Sequence, residues 1–280
     1  MGRLNYLFCK TLQNYKIQTK SAFTLAEVLI TLGIIGIVAA MTLPTLIQNY
    51  RKNVYVNSLK EGYNILNNGF RLMMSTEQVD DFEDTERVRV IKENGADTDV
   101  VASEQAAEKV LSKYFQKIAL VSRADLIGKT SCQDLVGKGP RFWNLGNKAQ
   151  CSGNYNMNYK LPNGMTMGLF IYGTCTQSSL SDAEIHAAGG KMTRYCGMID
   201  LDINGETKPN QWGRDGYRFI IIQNGTIVPY AGRDHLIWIG TAAEEFNQKI
   251  INACNPKSST STGRSCTARI IELDNFKMTY

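Results

Sequence analysis

The chain has 280 residues, of which 43% are hydrophobic and 20% are charged, a composition typical of a folded protein with one or two domains. The formal net charge is +5, but positions 1–22 hold four basic residues and no acidic residue, so the rest of the chain carries only +1. A nucleic-acid-binding protein is expected to carry a basic excess on its folded part, and this charge balance therefore argues against that class.

Residues 23–43 form an apolar segment of membrane-spanning length. As an α-helix they would extend about 30 Å, the thickness of a bilayer's hydrocarbon core. The basic residues before the segment predict that positions 1–22 stay in the cytoplasm and that the chain beyond the segment is exported. Glu27 lies near the start of the segment, where a charge in hydrocarbon costs about 3 kcal/mol, so its presence needs an explanation.

Two general interpretations of this segment are an uncleaved signal anchor and a secretory signal peptide. A signal peptide has a basic region, an apolar region and a small-residue cleavage site, for which Val38-Ala39-Ala40 qualifies. Against this interpretation, Glu27 interrupts the apolar region, and the apolar run continues past Ala40 into an amphipathic helix.

A third interpretation follows from the stretch SAFTLAEVLITLGIIGIVAAMTLP, which resembles the N-terminus of type IV pilins and of type II secretion pseudopilins. That family has a basic leader, a small residue, Phe-Thr-Leu, a glutamate five residues into the mature chain and a long apolar helix with a proline near its end. Here the corresponding residues are Ala22, Phe23, Glu27 and Pro44. The family usually has glycine at the position of Ala22, and alanine is the next smallest side chain.

The resemblance implies that a prepilin peptidase, an aspartyl membrane enzyme that is also a methyltransferase, cuts between Ala22 and Phe23 and methylates the new amine of Phe23. The apolar helix would be kept. A new α-amino group has a reference pKa of about 7.7–8.0 and is largely cationic near neutral pH. In the family, the glutamate of an incoming subunit is thought to meet such an amine, which implies a role for Glu27 in assembly and register.

The helix is expected to continue beyond the apolar segment. Pro44 predicts a kink or local melting near residues 40–44, because it lacks an amide donor and clashes with the preceding turn. Apolar residues then recur at intervals of three and four, which predicts an amphipathic continuation to about residue 75. The expected organisation is a cleaved leader at 1–22, a long helix at 23–75 that spans the membrane at 23–43, and a globular head at 76–280.

In the head, helical patterns precede strand patterns. The acidic residues 76–102 are expected to form a loop, and an apolar stripe predicts a second helix at 102–120. From about residue 155, strand-like runs flank turns at Asn163-Gly164 and Asn224-Gly225, which are hairpin signals, and 241–253 is a candidate late helix. These patterns predict an α+β, pilin-like fold in which the long helix packs on an antiparallel sheet.

Six of the seven cysteines lie in the distal half of the chain. An even number beyond a membrane segment suits an oxidising compartment and disulfides, although six cysteines allow 15 pairings. The favoured pairs, each closing a local loop, are Cys132–Cys151, Cys175–Cys196 and Cys254–Cys266. Reduced, buried cysteines are the alternative. Zinc is disfavoured, because no C-x-x-C is present and the two histidines, His186 and His235, stand apart.

One segment resembles the first half of a calcium loop. The candidate ligands, with Gly205 as the turn residue, are Asp200, Asp202, Asn204 and Asp215. Oxygen ligands at alternate positions suit Ca²⁺, but the twelfth position is Gln211 and not a bidentate glutamate. Calcium loops occur in major pseudopilins, so the resemblance keeps Ca²⁺ open as the possible cofactor. A polar turn that caps its own backbone is the alternative.

No catalytic signature is present, and a non-enzymatic role is expected. We predict a structural subunit of a type IV pilus or type II secretion pseudopilus. It would assemble with other pilin or pseudopilin subunits and the inner-membrane assembly machinery into a helical filament. The precursor would cross the bacterial inner membrane once with its N-terminus cytoplasmic, and the head would be periplasmic or on the cell surface. The alternative is a secreted or membrane-anchored ligand-binding protein, calcium-dependent or not.

Overall fold

A computed structural model of the chain describes residues 23–93, 104–121, 131–136, 140–146, 150–153, 157–176, 194–231 and 244–280. The predicted leader at 1–22, including Ala22, lies outside the described residues, and so do His186 and His235. Contacts divide the chain into two compact units, residues 1–49 and 50–280.

A helix of 53 residues, α1 (Leu25–Glu77), confirms the predicted long N-terminal helix. In the first unit its large apolar side chains are exposed. Pro44 lies inside α1 and the residues on both sides of it are helical, so the helix does not melt there. The kink at Pro44 stays a prediction.

In the second unit, α1 packs one face into the hydrophobic core, as its three-and-four spacing predicts. The buried apolar side chains of this face are Val56, Leu59, Leu66, Phe70, Met73 and Met74. Gly62 and Gly69 lie on the same face and allow close approach. A Cβ on Gly62 would lie 2.5 Å from Leu201 Cδ2, and one on Gly69 would lie 2.2 Å from Phe115 Cε1.

Eight strands are described, in chain order β1 (Ala119–Leu120), β2 (Arg141–Trp143), β3 (Cys151–Gly153), β4 (Met157–Lys160), β5 (Thr166–Thr176), β6 (Tyr195–Asp202), β7 (Gly216–Ile222) and β8 (Ile227–Pro229). Six of them form an antiparallel sheet in the order β1-β4-β5-β6-β7-β8, and β2 pairs with β3 separately. The hairpin turns fall where they were predicted, with Gly164 at a φ of 87° and Gly225 at 73°. Positive φ is easily adopted by glycine, which explains the turn signal.

The sheet and α1 share one core. Tyr63 on α1 donates from its hydroxyl to the Ile227 carbonyl at 3.2 Å, and its ring stacks on Phe219 with centroids 5.4 Å apart. Side chains alternate along β6, so Ile199 and Leu201 enter this core while Met198 and Asp200 lie on the other face. The α+β fold, a long helix packed on an antiparallel sheet, is therefore confirmed.

The described residues also contain five shorter helices: α2 (Glu86–Glu93), α3 (Glu104–Leu111), α4 (Cys132–Leu135), α5 (Glu244–Ala253) and α6 (Cys266–Ala268). A 3₁₀ turn at Phe82–Asp84 precedes α2, and a π-helical turn at Arg269–Leu273 follows α6. Helix α5 agrees with the expected late helix.

Two expectations for residues 76–120 were wrong in part. The acidic stretch expected to be a loop contains α2, because Val88 and Ile91 are fully buried in the core despite their polar neighbours. The helix predicted at 102–120 ends at Leu111. Ser112 Oγ donates to the Lys109 carbonyl, and Lys117 adopts a positive φ of 53° that turns the chain into β1.

Three disulfides cross-link the C-terminal region, as expected for a disulfide-stapled head. They join Cys132 to Cys151, Cys175 to Cys196 and Cys254 to Cys266, over sequence separations of 19, 21 and 12 residues. Each therefore closes a local loop.

Candidate functional site

The start of α1 is a reciprocal hydrogen-bonded cap between Thr24 and Glu27. Thr24 donates from its backbone amide and from its hydroxyl to Glu27 Oε2, both at 2.8 Å. The Glu27 amide donates back to Thr24 Oγ1 at 3.2 Å. This arrangement is a capping box, in which a threonine and a glutamate three residues later satisfy amides that a helix start leaves unpaired. The sequence analysis missed it, although the Thr-x-x-Glu pattern was there to find.

The rest of the first unit offers an apolar helical surface. Helix α1 contains a window of 18 residues with mean hydropathy 2.2, none of it buried within the protein, which is long and apolar enough to cross a membrane. A Cβ on Gly33 or Gly36 would meet no atom within 4 Å. The described residues therefore leave this surface uncovered, which suits a membrane-anchored protein.

Phe23, the expected N-terminal residue after processing, is 85% exposed and directly precedes Thr24. Because Ala22 lies outside the described residues, cleavage and methylation stay predictions.

Three of the four predicted metal ligands, Asp202, Asn204 and Asp215, lie close together at the end of β6 and in the loop that follows it. Asn204 donates from its backbone amide to Asp202 Oδ1 at 3.1 Å and from Nδ2 to Asp215 Oδ2 at 3.3 Å. Asp215 also accepts from the amides of Asn210 at 2.7 Å and Gln211 at 2.6 Å. Asp202 and Asp215 are almost completely buried, at 1% and 0% exposure.

The fourth predicted ligand, Asp200, is engaged elsewhere. Its two carboxylate oxygens accept from Arg218 Nε and a terminal guanidinium nitrogen, each at 2.6 Å. The pair is buried, and both oxygens face a cation that cannot be deprotonated in a protein. Asp200 is therefore not placed with Asp202 and Asp215 as a ligand, because the β6–β7 register sets it opposite Arg218.

Burial raises the pKa of both carboxylates. Burial, and then the charge of Asp215, raises the pKa of Asp202 well above its ordinary value. Burial also raises the pKa of Asp215 to about 6, although the amides of Gln211 and Asn210 partly oppose the shift. Two neighbouring carboxylates in a dry site ionise together only if a cation joins them, and otherwise one keeps a proton.

Unpaired oxygens add to this site. The side-chain oxygens Asn204 Oδ1 and Asn210 Oδ1 are buried and have no hydrogen-bond partner among the described residues. Asn210 is only 6% exposed. Carboxylate and amide oxygens are the ligands that Ca²⁺ prefers, so Asp202, Asn204, Asn210 and Asp215 fit a hard cation better than the predicted set with Asp200 does. Sequence reasoning missed Asn210.

A second group of acidic and sulfur atoms does not suit a metal. Asp81, Glu83 and Cys175 bring ligand-type atoms within 4.8 Å of one another. Cys175 is already bound to Cys196, and Glu83 pairs with Arg194. Cys175 and Glu83 are therefore already engaged in structural contacts and are not free to hold a metal ion.

Comparison with known families places the N-terminal segment. Residues 17–43 match the prokaryotic N-terminal methylation motif, a stretch that includes Phe23 and Glu27 and ends at Leu43. Neither a comparison with curated proteins nor one with solved structures found a significant match.

Proposed function

We propose that this chain, which carries the leader signature of type IV pilins and pseudopilins, is the precursor of a filament subunit. Proteins with this signature are structural rather than enzymatic. A prepilin peptidase cuts the chain between Ala22 and Phe23 and methylates the new amine of Phe23. The observation that carries the proposal is Glu27, a carboxylate at the head of an apolar helix within the matched motif.

Glu27 has no cationic partner among the described residues. Its only hydrogen-bond donors among the described residues belong to Thr24, which is neutral. A capped carboxylate still carries its charge, and removing it from water without a cation costs several kcal/mol. Cleavage creates a cationic amine at Phe23, and the amine of a neighbouring subunit supplies the missing counter-charge. A subunit docks in the register that pairs the two charges.

The exposed surface of α1 supplies the other part of assembly. In the membrane it contacts lipid, and in the filament it packs against the same helix of neighbouring subunits. The four basic residues at 1–22 outnumber Arg51 and Lys52 after the span, which orients the N-terminus to the cytoplasm. The subunit is then held in the bacterial inner membrane, with residues 50–280 in the periplasm or on a cell-surface filament, as in a secretion pseudopilus or a type IV pilus.

The mature N-terminus of protein from the native host tests this proposal by mass spectrometry. N-methyl-Phe23 is the expected end. An intact Met1 would favour the alternative, a membrane-anchored ligand-binding protein, and an end at Met41 would favour secretion; either contradicts the proposal. As matched variants, Ala22→Gly should be processed at least as well as the natural chain, whereas Ala22→Leu should accumulate as precursor because a bulky residue replaces the small one.

We further propose that the group Asp202, Asn204, Asn210 and Asp215 binds calcium and stabilises the loop between β6 and β7. The observation that favours it is the burial of two carboxylates beside two amide oxygens for which the described part of the chain offers no hydrogen-bond donor. Bound Ca²⁺ would supply the positive charge that lets both carboxylates ionise.

Thermal unfolding in excess Ca²⁺ and in EDTA tests the metal. The midpoint should rise in Ca²⁺ for the natural chain and not for Asp202→Asn. Asp134→Asn, an exposed carboxylate in α4, is the matched control and should keep the full response. An equal midpoint in Ca²⁺ and EDTA would contradict the proposal.

A further inference from the structure

The face of the sheet that lies away from α1 contains a small cavity of about 130 Å³. Its floor comes from cross-strand neighbours, since Met198 pairs with Ile220 and Asp200 pairs with Arg218 in the β6–β7 register. These positions alternate with the core positions Ile199 and Phe219, so they belong to the opposite face. The cavity lies wholly within the second unit.

Three tyrosines form the walls of the cavity, Tyr172 from β5, Tyr195 from β6 and Tyr230 after β8. The rings of Tyr172 and Tyr195 meet edge to face, with centroids 5.6 Å apart and planes at 80°. Aromatic walls of this kind offer flat apolar contact together with a polar hydroxyl edge. The cavity therefore suits a ligand group with a ring or a compact apolar body.

Two arginines line the same cavity, and within the described part of the chain one of them, Arg218, is paired with a carboxylate. Arg218 is satisfied by Asp200 through two hydrogen bonds. Arg264 forms no ion pair with any described residue, and its Nε is buried without a hydrogen-bond partner. Among the described residues at the cavity, two guanidinium groups face one carboxylate, which is an excess of one positive charge.

Arg264 is held in place by its surroundings. Its guanidinium carbon lies 5.8 Å from the ring centroid of Trp212, and that of Arg218 lies 5.2 Å from the same ring. Trp212 is fully buried, and its indole NH donates to Ser152 Oγ at 3.0 Å. Cys266, close after Arg264, is cross-linked to Cys254. These contacts restrict the Arg264 side chain, which lowers the entropy that it loses when it binds an anion.

We propose that this cavity binds a small carboxylate carried on a ring or compact apolar body. Arg264 donates to the carboxylate, and the three tyrosines, Met198 and Ile220 contact the body. The volume is below the roughly 300–1,000 Å³ of pockets for drug-sized ligands, so one acidic group of a larger molecule, or one free acid, fills it. A single excess charge favours a monoanion over a phosphate.

The carboxylate has two chemical sources, an aromatic acid or a sugar acid, and separate probes distinguish them. Full-length protein in a non-ionic detergent is titrated with benzoate and with glucuronate, followed by saturation-transfer NMR. Benzyl alcohol and glucose serve as uncharged counterparts, and inorganic phosphate is the competing anion. We expect saturable binding of at least one carboxylate, weaker binding of its uncharged counterpart, and weakening by added salt.

Matched variants test whether Arg264 is the residue that binds the carboxylate. Arg264→Gln should lower the affinity about tenfold or more, the usual loss for a charge-assisted hydrogen bond. Lys257→Gln, at an exposed lysine in the same part of the chain, should leave it unchanged. Arg264→Lys keeps the charge but lacks the fork of guanidinium donors, so its affinity should lie between those of the natural chain and Arg264→Gln. If the glutamine variant does not fold, Arg264→Lys is compared with the natural chain alone, and an equal affinity overturns the proposal.

Three other results would overturn the proposal: no saturable binding of either carboxylate, equal affinity in Arg264→Gln, or tighter binding of phosphate than of both carboxylates. This inference does not depend on the filament proposal. Mass spectrometry of the mature N-terminus tests the filament proposal, and carboxylate binding tests the cavity, so either can fail alone.

Discussion

Thr24 and Glu27 form reciprocal hydrogen bonds at the first turn of α1. The amide and hydroxyl of Thr24 both donate to Glu27 Oε2, and the Glu27 amide donates to Thr24 Oγ1. Glu27 Oε1 accepts no hydrogen bond from any described residue. The same carboxylate can therefore cap its own helix through one oxygen and meet a cation of another subunit through the other. Capping and assembly are two separable roles of Glu27.

Glu27→Gln separates these roles. A glutamine keeps the capping box but has no charge. If assembly depends on pairing the Glu27 charge with the amine of another subunit, Glu27→Gln should insert into the membrane and fold normally. It should form filaments poorly or not at all. Membrane fractionation reports insertion, and electron microscopy or shearing of surface filaments reports assembly.

Two further variants complete this comparison. Glu27→Ala loses both the cap and the charge, and it should also insert but fail to assemble. Thr24→Val removes the hydroxyl of the cap and keeps the Glu27 charge, so it should assemble better than Glu27→Gln. Normal filaments from Glu27→Gln would show that the charge has no role in assembly.

Local chemistry explains which parts of the fold were predictable. Helix α1 was predicted almost to its end at Glu77 because its apolar pattern persists through both units. The hairpin turns were predictable because Gly164 and Gly225 need positive φ, a property of the residue itself. Helix α2 was missed because its sequence is mostly polar. Its stability comes from the burial of Val88 in a core that other parts of the chain complete.

The candidate sites show the same limit. Asp200 looked like a metal ligand because it alternates with Asp202, yet its partner Arg218 becomes its neighbour only through the β6–β7 register. Asn210 joins Asp215 through a tight turn, which spacing alone does not reveal. Arg264, which has no ion-pair partner among the described residues, became visible only when the fold placed it beside the Arg218–Asp200 pair at the cavity.

The stability of the metal-free protein should depend on Asp215. Burial raises the pKa of Asp215 to about 6 from the ordinary 3.8, so the folded state holds this proton more tightly than the unfolded state does. The contribution is therefore present below pH 4 and is lost as the pH rises to 6, on the order of 2–3 kcal/mol. Urea unfolding in EDTA from pH 4 to 7 measures it.

Asp215→Asn removes this titration. The difference in unfolding free energy between the natural chain and Asp215→Asn therefore reports Asp215 together with the part of the Asp202 titration that depends on the charge of Asp215. Asp134→Asn, exposed in α4, should follow the natural chain at every pH. A natural chain and an Asp215→Asn variant with parallel pH profiles would show that Asp215 titrates normally. Added Ca²⁺ should flatten the loss above pH 5 if the metal site forms.

The close approach at Gly69 predicts a stability cost for a methyl group. A Cβ there would lie 2.2–2.8 Å from three atoms of the Phe115 ring, which is itself held edge to face against Phe70. Gly69→Ala should therefore destabilise the second unit by about 1–3 kcal/mol, although alanine favours helix more than glycine does. Thermal unfolding measures the effect.

Gly33→Ala is the matched control for Gly69, because the new methyl would meet no atom within 4 Å. It should leave the unfolding midpoint of the second unit unchanged. If Gly69→Ala also left the midpoint unchanged or raised it, the packing of α1 against Phe115 would be looser than described.

The disulfides allow a comparison in which loop length is nearly constant. Cys132–Cys151 and Cys175–Cys196 span 19 and 21 residues, so loop entropy predicts almost the same cost, about 3 kcal/mol, for replacing either pair by alanine. Their burial differs, because Cys175 and Cys196 are 3% and 0% exposed, whereas Cys132 and Cys151 are half-buried. Removing the buried sulfurs also leaves a cavity in the core.

We expect Cys175→Ala/Cys196→Ala to lower the urea midpoint more than Cys132→Ala/Cys151→Ala does. Equal midpoints would show that the β5–β6 disulfide contributes chain entropy alone.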